Sequence, residues 1–191
     1  MDTNTAEAIK VFNQGGIVIF PTDTAYGIGC RIDNLKAIKR LYKIRKRPLT
    51  MPPPVLFADI QMVNQYVTYI PKEVKENLID KYWPGALTII LKANLKVVPE
   101  IVLKDQAIGV RIPKNKDLQK VIKALGVPIL GPSANFHGEK TPYKKSDLDK
   151  KLFKLVDFVM EGETSQGLHS TVIDVTTTPF IIIRKGVVKL K

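Results

Sequence analysis

One segment of the chain organises the rest of the sequence around it: Gly126-Val127-Pro128-Ile129-Leu130-Gly131-Pro132-Ser133-Ala134-Asn135, which continues to Glu139. The short apolar run is typical of a buried strand, and it ends at a Gly-Pro break. Ser133 and Asn135 follow at once. Strand ends of this kind often hold ligands, because a rigid sheet positions them and the loop leaves backbone groups unpaired. Ser and Asn also favour turns for local reasons, so this segment alone leaves both interpretations open.

The bulk composition indicates an ordinary globular protein. The chain has 191 residues, of which 45% are hydrophobic and 25% are charged. This length and composition predict a single domain over 1–191 with a buried hydrophobic core. Its longest apolar runs fall far short of the roughly 18 residues that a membrane span needs, and we expect no signal peptide and no membrane partner. The lone Cys30 and two histidines cannot build a Cys-rich zinc site, and they favour a reducing cytoplasm.

Charge is the unusual bulk property, with a formal net charge of +12. Such an excess attracts polyanions, including nucleic acid and nucleotide phosphates, although a lysine-rich surface would produce it too. Residues 36–47 form a cluster without an acidic neighbour. Its basic members are Lys36, Lys39, Arg40, Lys43, Arg45, Lys46 and Arg47.

Apolar patterning predicts helices and strands in alternation. Five helices are expected. The first covers about 5–13, and the second begins after a cap at Asp33 or Asn34. The other three begin at Pro71, after Asn115 or Lys116, and at about Ser146. Strands are expected near 17–20, 53–57, 87–92, 107–112, 127–131, 155–160, 171–175, 180–184 and 187–190. This order favours an α+β, or mixed α/β, domain with a mixed sheet covered by helices.

Common catalytic motifs are missing from the sequence. There is no Gly-x-x-x-x-Gly-Lys-Ser/Thr phosphate loop, no complete Gly-x-Gly-x-x-Gly fingerprint and no Gly-x-Ser-x-Gly elbow. His137 and His169 lie in predicted loops, where a surface role is the commoner one. These absences argue against a hydrolytic triad.

Two arginines at strand ends point to anion binding instead. Arg111 and Arg184 each follow an apolar run, and burying an unpaired arginine costs several kcal/mol. Each arginine therefore needs a partner anion, either a carboxylate side chain or a ligand. For Arg111, an ion pair with Asp105 or Asp174 would be a purely structural explanation. With the nearby Ser, Thr and Asn donors, the pattern describes an anion-binding cleft.

Seven short segments together resemble one known family. They are Phe-Pro-Thr-Asp-Thr-Ala-Tyr-Gly-Ile-Gly (20–29), Lys-Arg-Pro (46–48), Trp-Pro-Gly-Ala-Leu-Thr (83–88), Val-Arg-Ile-Pro (110–113), Pro-Ser-Ala-Asn-Phe-His-Gly (132–138), Ser-Thr-Val-Ile-Asp (170–174) and Ile-Arg-Lys-Gly (183–186). In order and spacing they are similar to the YrdC family of threonylcarbamoyl-AMP synthases, from about residue 5 to the end. The resemblance implies the single-domain form, a three-layer fold with a twisted mixed sheet and a basic concave face.

The resemblance also implies a reaction. L-threonine, bicarbonate and ATP with Mg²⁺ would become threonylcarbamoyl-adenylate and pyrophosphate, and a transferase complex would use the product to modify tRNA, with direct tRNA binding possible. By matching position, threonine and its carbamate would be held by Thr24, Arg111, Ser133 and Ser170. ATP would be held by Arg47, Asn135 and Arg184. No protein side chain is implied as a metal ligand, and Arg45 and Arg47 are the candidates for positioning and charge neutralisation.

The implied chemistry needs no covalent intermediate, because positioning and charge neutralisation can supply most of the rate. A carbamate decomposes in water, so we expect a closing lid, with the loop around 43–52 as candidate. The chain departs from the family pattern at Arg45, Met51, Glu161–Glu163 and Lys185. Two alternatives therefore stay open: a non-catalytic RNA-binding domain of the same fold, and a related carbamoyl-transfer domain.

Overall fold

The computed structural model describes residues 2–165 and 167–190. Its helices are α1 (Thr3–Asn13), α2 (Leu35–Arg45), α3 (Ile60–Tyr66), α4 (Lys72–Val74), α5 (Asp80–Tyr82), α6 (Lys116–Leu125) and α7 (Lys150–Phe153). A π-helical turn, Lys75–Ile79, joins α4 to α5. Two 3-10 turns lie at Glu100–Val102 and Lys145–Asp147. In the described ranges no helix is long and apolar enough to cross a membrane.

Side-chain caps explain where two of the longer helices begin. Asn34 Oδ1 accepts a hydrogen bond from the Ala37 amide at 3.0 Å, and so begins α2. Asn115 Oδ1 accepts one from the Leu118 amide at 2.9 Å, and so begins α6. Gly126 ends α6 with φ of 70°, a left-handed conformation that glycine adopts without steric cost. Of the two caps considered for α2, the structure therefore selects Asn34.

The strands form two sheets. They are β1 (Val18–Pro21), β2 (Tyr26–Gly29), β3 (Val55–Leu56), β4 (Leu87–Lys92), β5 (Ala107–Arg111), β6 (Ile129–Leu130), β7 (Phe158–Val159), β8 (Thr171–Asp174) and β9 (Ile181–Arg184). The smaller sheet has the order β2-β1-β7, and the larger has the order β6-β3-β5-β4-β8-β9. Both sheets mix parallel and antiparallel pairs, as the sequence predicts.

Single bridges connect the two sheets along β2. Gly27 pairs with Ser133, and Arg31 pairs with Ile129. The Ile28 amide also donates to the Pro132 carbonyl at 2.9 Å. The segment after β6 therefore lies against β2, which places the Ser133 loop beside the turn between β1 and β2.

Several predicted elements change in the structure. Strand β2 lies in a segment with no predicted strand, and its two glycines lower the strand propensity of that segment. Helix α3 lies in a segment with no predicted helix, and Asp59 Oδ1 caps it by accepting from the Met62 amide at 2.9 Å. The helix expected from Ser146 is a 3-10 turn followed by the four residues of α7. Residues 187–190 are not a strand; they return across the start of β8, where Thr171 Oγ1 donates to the Val188 carbonyl at 2.6 Å.

Two buried clusters hold the layers together. The larger packs α2 and the following helices against the six-stranded sheet, around residues such as Ile38, Phe57 and Val110. The smaller packs α1 against α6 and the other side of the sheets, around Phe12, Phe20 and Ile122. The polar residues at the strand ends, such as Thr24, Arg111 and Ser170, belong to neither apolar cluster.

Candidate functional site

A polar cleft opens where the ends of several strands converge. The turn between β1 and β2 forms one wall, and the segment after β6 forms the next. The end of β5, the start of β8 and the end of β9 complete it, together with the loop after α2. Its lining residues are Thr22, Thr24, Ala25, Tyr26, Gly27, Arg47, Pro54, Leu56, Thr88, Arg111, Gly131, Pro132, Ser133, Thr141, His169, Ser170 and Arg184.

Arg111 is a buried charged group of the cleft with three hydrogen-bonded partners. Its Nη2 donates to Asp23 Oδ1 at 2.6 Å, its Nη1 to Thr24 Oγ1 at 2.9 Å and its Nε to the Gly85 carbonyl at 2.9 Å. Both side chains of the Asp23–Arg111 pair are almost completely buried. Burial lowers the pKa of Arg111, and the Asp23 carboxylate opposes that shift. The two structural partners considered from the sequence, Asp105 and Asp174, are both wrong: the partner is Asp23.

The β1–β2 turn is shaped by its own hydroxyl groups. Thr22 Oγ1 donates to the Ala25 carbonyl at 2.7 Å and accepts from the Thr24 amide at 3.1 Å. Asp23 Oδ1 also accepts from the Lys114 amide at 2.9 Å, which ties the turn to the segment after β5. The Asp23 carboxylate therefore positions both the turn and the Arg111 guanidinium that lies against it.

Ser170, Thr88 and Arg184 form a second polar group of the cleft. Ser170 Oγ lies 3.0 Å from Thr88 Oγ1 and accepts from Arg184 Nη2 at 3.0 Å. Arg184 Nε donates to the Ser170 carbonyl at 3.0 Å. Gly186 allows this close approach of β9 to β8, because a Cβ there would lie 2.3 Å from the His169 carbonyl oxygen.

Three arginines converge on the cleft. Arg111 and Arg184 face it from neighbouring walls, and Arg47 reaches it from the loop after α2. Desolvation lowers the pKa of Arg184, and the positive charges of Arg111 and Arg47 lower it further. Arg47 donates to the Met51 carbonyl at 2.6 Å and to the Pro52 carbonyl at 3.3 Å, not to a carboxylate. Of these three arginines, only Arg111 has an acidic partner among the described residues. The cleft therefore carries unbalanced positive charge and suits an anion.

Ser133 is linked to a buried arginine behind the cleft wall. Ser133 Oγ donates to Asn135 Oδ1 at 2.6 Å, and Arg45 Nη2 donates to the same oxygen at 3.0 Å. Arg45 Nε donates to the Asn135 carbonyl at 3.0 Å, and Asn135 Nδ2 donates to the Glu139 carbonyl at 2.6 Å. Burial lowers the pKa of Arg45 to about 10, so its guanidinium stays charged at neutral pH. Arg45 belongs to the basic cluster of residues 36–47, but it points inward and is 2% exposed.

The structure brings most of the residues named from the sequence to one cleft. Thr24, Arg47, Arg111, Ser133, Ser170 and Arg184 line it, whereas Arg45 and Asn135 lie behind Ser133. Sequence reasoning did not single out Asp23, Thr88 or His169 as site residues. Asp23 and Thr88 lie inside the segments 20–29 and 83–88 that carry the family resemblance. For Asp23, the available signal was an acidic residue shortly after a buried strand. His169 was treated as a surface loop residue, yet it contributes to the cleft wall.

The side chains that line the cleft do not suit a divalent metal ion that the protein itself would coordinate. Its polar groups are mostly guanidinium and hydroxyl groups, and divalent cations prefer clustered carboxylates. Among residues 2–165 and 167–190, no group of three or more His, Cys, Asp and Glu side chains could hold a metal ion.

Comparisons with known proteins converge on one family. The Sua5/YciO/YrdC family model, which is described as "Telomere recombination", matches residues 10–186. A protein of Methanocaldococcus jannaschii is 36% identical over 184 residues, covering 95% of this chain and 85% of that protein. The Bacillus subtilis protein named threonylcarbamoyl-AMP synthase is 32% identical over 190 residues, covering 97% of this chain. This chain spans only 54% of that B. subtilis protein.

Solved structures give the same answer for the fold. The crystal structure of Pyrococcus abyssi Sua5 complexed with L-threonine superposes with a TM-score of 0.88 at 31% identity. The match covers 95% of this chain and 54% of that one. Escherichia coli YciO also superposes with a TM-score of 0.88, at 29% identity over 98% of this chain and 91% of YciO. The mixed α+β fold expected from the sequence is confirmed by these neighbours.

Proposed function

This chain belongs to the Sua5/YciO/YrdC family, and from that premise we propose that it is a threonylcarbamoyl-AMP synthase, a nucleotidyltransferase. The main support is the convergence of Arg47, Arg111 and Arg184 on one cleft in which only Arg111 has a carboxylate partner among the described residues. Threonyl carbamate carries two carboxylates and ATP carries a polyphosphate. Bringing these anions together requires concentrated positive charge.

The reaction proceeds in two bond-forming steps. The threonine nitrogen attacks the bicarbonate carbon, and loss of water leaves a carbamate on that nitrogen. A carbamate oxygen then attacks the α-phosphorus of ATP, and the bond from that phosphorus to the bridging oxygen breaks to release pyrophosphate. Neither step needs an enzyme nucleophile, which agrees with a cleft made of arginines and hydroxyls.

The residues divide between the two substrates as the family resemblance implies. Thr24, Arg111, Ser133 and Ser170 bind threonine and its carbamate, and Arg47 and Arg184 bind ATP. The resemblance also assigns Asn135 to ATP, but Asn135 lies behind Ser133 and its amide bonds Arg45, Ser133 and the Glu139 carbonyl. Arg47 and Arg184 neutralise carboxylate and phosphate charge, because neither has an acidic partner among the described residues and arginine forks match both groups. Arg47 lies in the segment 43–52 that we propose as the lid, where Leu49 and Met51 are exposed. Mg²⁺ would enter on the phosphate oxygens of ATP, since the described residues of the cleft include no carboxylate cluster that could hold it.

The wider role would lie in tRNA modification in the cytoplasm. A transferase complex would consume the product, and direct tRNA contact is the further expectation. Three lysines on α2 and the residue that follows the helix support that contact, because they are exposed and have no ion pair within the described residues: Lys36, Lys39, Lys43 and Lys46. Phosphate backbones bind such surfaces in a salt-dependent manner.

A single assay tests the proposal. Purified protein is incubated with L-threonine, bicarbonate, ATP and Mg²⁺, and threonylcarbamoyl-adenylate and pyrophosphate are measured together. Both products should appear only when all three substrates are present. If pyrophosphate release does not depend on threonine and bicarbonate, the synthase assignment is wrong; RNA binding without product would then favour the non-catalytic alternative.

A further inference from the structure

Arg45 is buried in a way that costs stability. Its side chain is 2% exposed, and its Nη1 is, among the described residues, the one buried side-chain nitrogen or oxygen without a hydrogen-bond partner. In the part of the chain that the structure describes, no carboxylate pairs with it, and its side-chain bonds go to the backbone carbonyl and the side-chain oxygen of Asn135. An unpaired N–H on a buried charge is unfavourable, because the hydration that the group loses is not replaced by a hydrogen bond. Stability therefore does not explain why an arginine occupies this position.

What Arg45 does is fix the orientation of the Asn135 amide. A guanidinium can only donate, so the Asn135 atom that faces Arg45 Nη2 at 3.0 Å must be the oxygen. The Glu139 carbonyl, which can only accept, lies 2.6 Å from the other end of the amide and requires the nitrogen there. The two contacts agree, and rotating the amide by half a turn would oppose like groups at both ends.

The fixed amide in turn fixes the proton of Ser133. Asn135 Oδ1 can only accept, so the Ser133 hydroxyl at 2.6 Å must donate to it. A hydroxyl has one proton, and once that proton is committed only its lone pairs face the cleft. Within residues 2–165 and 167–190, no protein group donates to these lone pairs. Ser133 differs in this respect from the arginines around it, which offer only donors.

We propose that Arg45 is a positioning residue that makes Ser133 a hydrogen-bond acceptor, so that Ser133 selects a donor group of the amino-acid substrate, its nitrogen or its hydroxyl. This inference rests on the proposed function. On this proposal, the cleft recognises two different groups of the amino acid. Carboxylates face guanidinium groups such as Arg111, whereas the donor group of the same molecule faces Ser133.

The test is a double-mutant cycle on L-threonine binding, measured by calorimetry without ATP. Arg45→Met and Ser133→Ala should each weaken binding about three- to tenfold, as expected for loss of one neutral hydrogen bond. The double variant should bind no more weakly than Ser133→Ala alone, because both changes remove the same contact. Effects that multiply, or an Arg45→Met protein that binds threonine like the wild type, would overturn the proposal.

Two conservative variants keep the test decisive if Arg45→Met does not fold. Arg45→Lys can still only donate, so it should retain most of the threonine affinity. Arg45→Gln can present either oxygen or nitrogen to Asn135, so it should lose affinity to about the level of Ser133→Ala; equal affinity for both variants contradicts the proposal. Arg40→Met, which changes an exposed arginine of α2 that pairs with Asp157, serves as the matched control and should leave affinity unchanged.

The binding measurement also distinguishes a failure of the proposed function from a failure of the role assigned to Arg45. If the wild-type protein binds no threonine, the proposed function fails and the inference fails with it. If wild-type binding is clear and the cycle is additive, only the role of Arg45 is refuted. L-2-aminobutyrate, which lacks the hydroxyl, identifies the donor: a Ser133→Ala effect that persists assigns it to the nitrogen, and one that disappears assigns it to the hydroxyl.

Discussion

Asp23 and Arg111 form an ion pair of 2.6 Å at the base of the cleft, with both side chains almost completely removed from water. The pair joins the β1–β2 turn to the end of β5, two elements that belong to different sheets. The Arg111 guanidinium also holds Thr24 Oγ1, so the carboxylate orients a guanidinium and a hydroxyl that both line the site. The pair therefore connects the packing of the two sheets to the geometry of the anion-binding groups.

We predict that Asp23→Ala lowers the free energy of unfolding by about 3–5 kcal/mol, because it leaves the Arg111 charge buried without a partner. Chemical denaturation measures the change directly. Asp80→Ala is the matched control, since Asp80 pairs with Lys75 at 2.8 Å on the surface and should lose less than about 1 kcal/mol. Similar losses in the two variants would contradict the role assigned to the buried pair.

Arg111→Ala should raise the threonine requirement of the synthase reaction far more than the ATP requirement. The physical reason is that Arg111 lies against Thr24, on the wall assigned to the amino acid, and its loss removes a carboxylate-binding fork. Steady-state KM values for each substrate measure the difference, with the other substrate saturating. Equal increases in the two KM values would refute the assignment.

The sequence identified the elements of this site better than it identified their contacts. Strand ends and turn residues are local features, so the positions of Thr24, Arg111, Ser133 and Ser170 could be predicted from patterning and family resemblance. The partner of Arg111 could not, because Asp23 lies 88 positions away in sequence and only the pairing of sheets brings it close. Burial of Arg45 could not be predicted either. It lies among basic residues typical of an exposed helix face, and tertiary packing against the Asn135 loop decides its direction.

Gly186→Ala should weaken ATP binding while leaving the rest of the fold in place. A Cβ at this position would lie 2.3 Å from the His169 carbonyl oxygen and 2.6 Å from the Ser170 carbonyl carbon, so the end of β9 must move. Arg184 moves with it and loses its bonds to Ser170. Titration with a non-hydrolysable ATP analogue should show at least a fivefold loss of affinity, which corresponds to about 1 kcal/mol of binding free energy.

Gly109→Ala is the matched control for that loss. Its Cβ would meet its nearest neighbour at 3.6 Å, which is ordinary van der Waals contact. Nucleotide affinity should therefore stay close to the wild-type value. A Gly186→Ala protein with unchanged affinity would show that the position of β9 does not matter for nucleotide binding.

Stability at acid pH should depend on Asp157, which ties α2 to β1. Its Oδ2 accepts from the Ile17 amide at 2.7 Å, and its carboxylate pairs with Arg40. Partial desolvation raises the pKa of Asp157, but hydrogen bonds from Arg40 and the Ile17 amide outweigh it, so the folded-state pKa lies below 3.8. A carboxyl whose pKa is lowered by folding stabilises the protein above its unfolded pKa, and that contribution is lost as pH falls through the folded value.

The expected result is a pH-dependent difference between the wild type and Asp157→Asn. Above about pH 5 the wild type should be more stable by a modest amount, on the order of 1 kcal/mol, because the ion pair is partly exposed. Below pH 3.8 the difference should shrink as the wild-type carboxyl becomes protonated. Urea denaturation between pH 3 and pH 7 measures both limits. A difference that stays constant across this range would show that the stabilisation comes from packing and not from the ionised carboxylate.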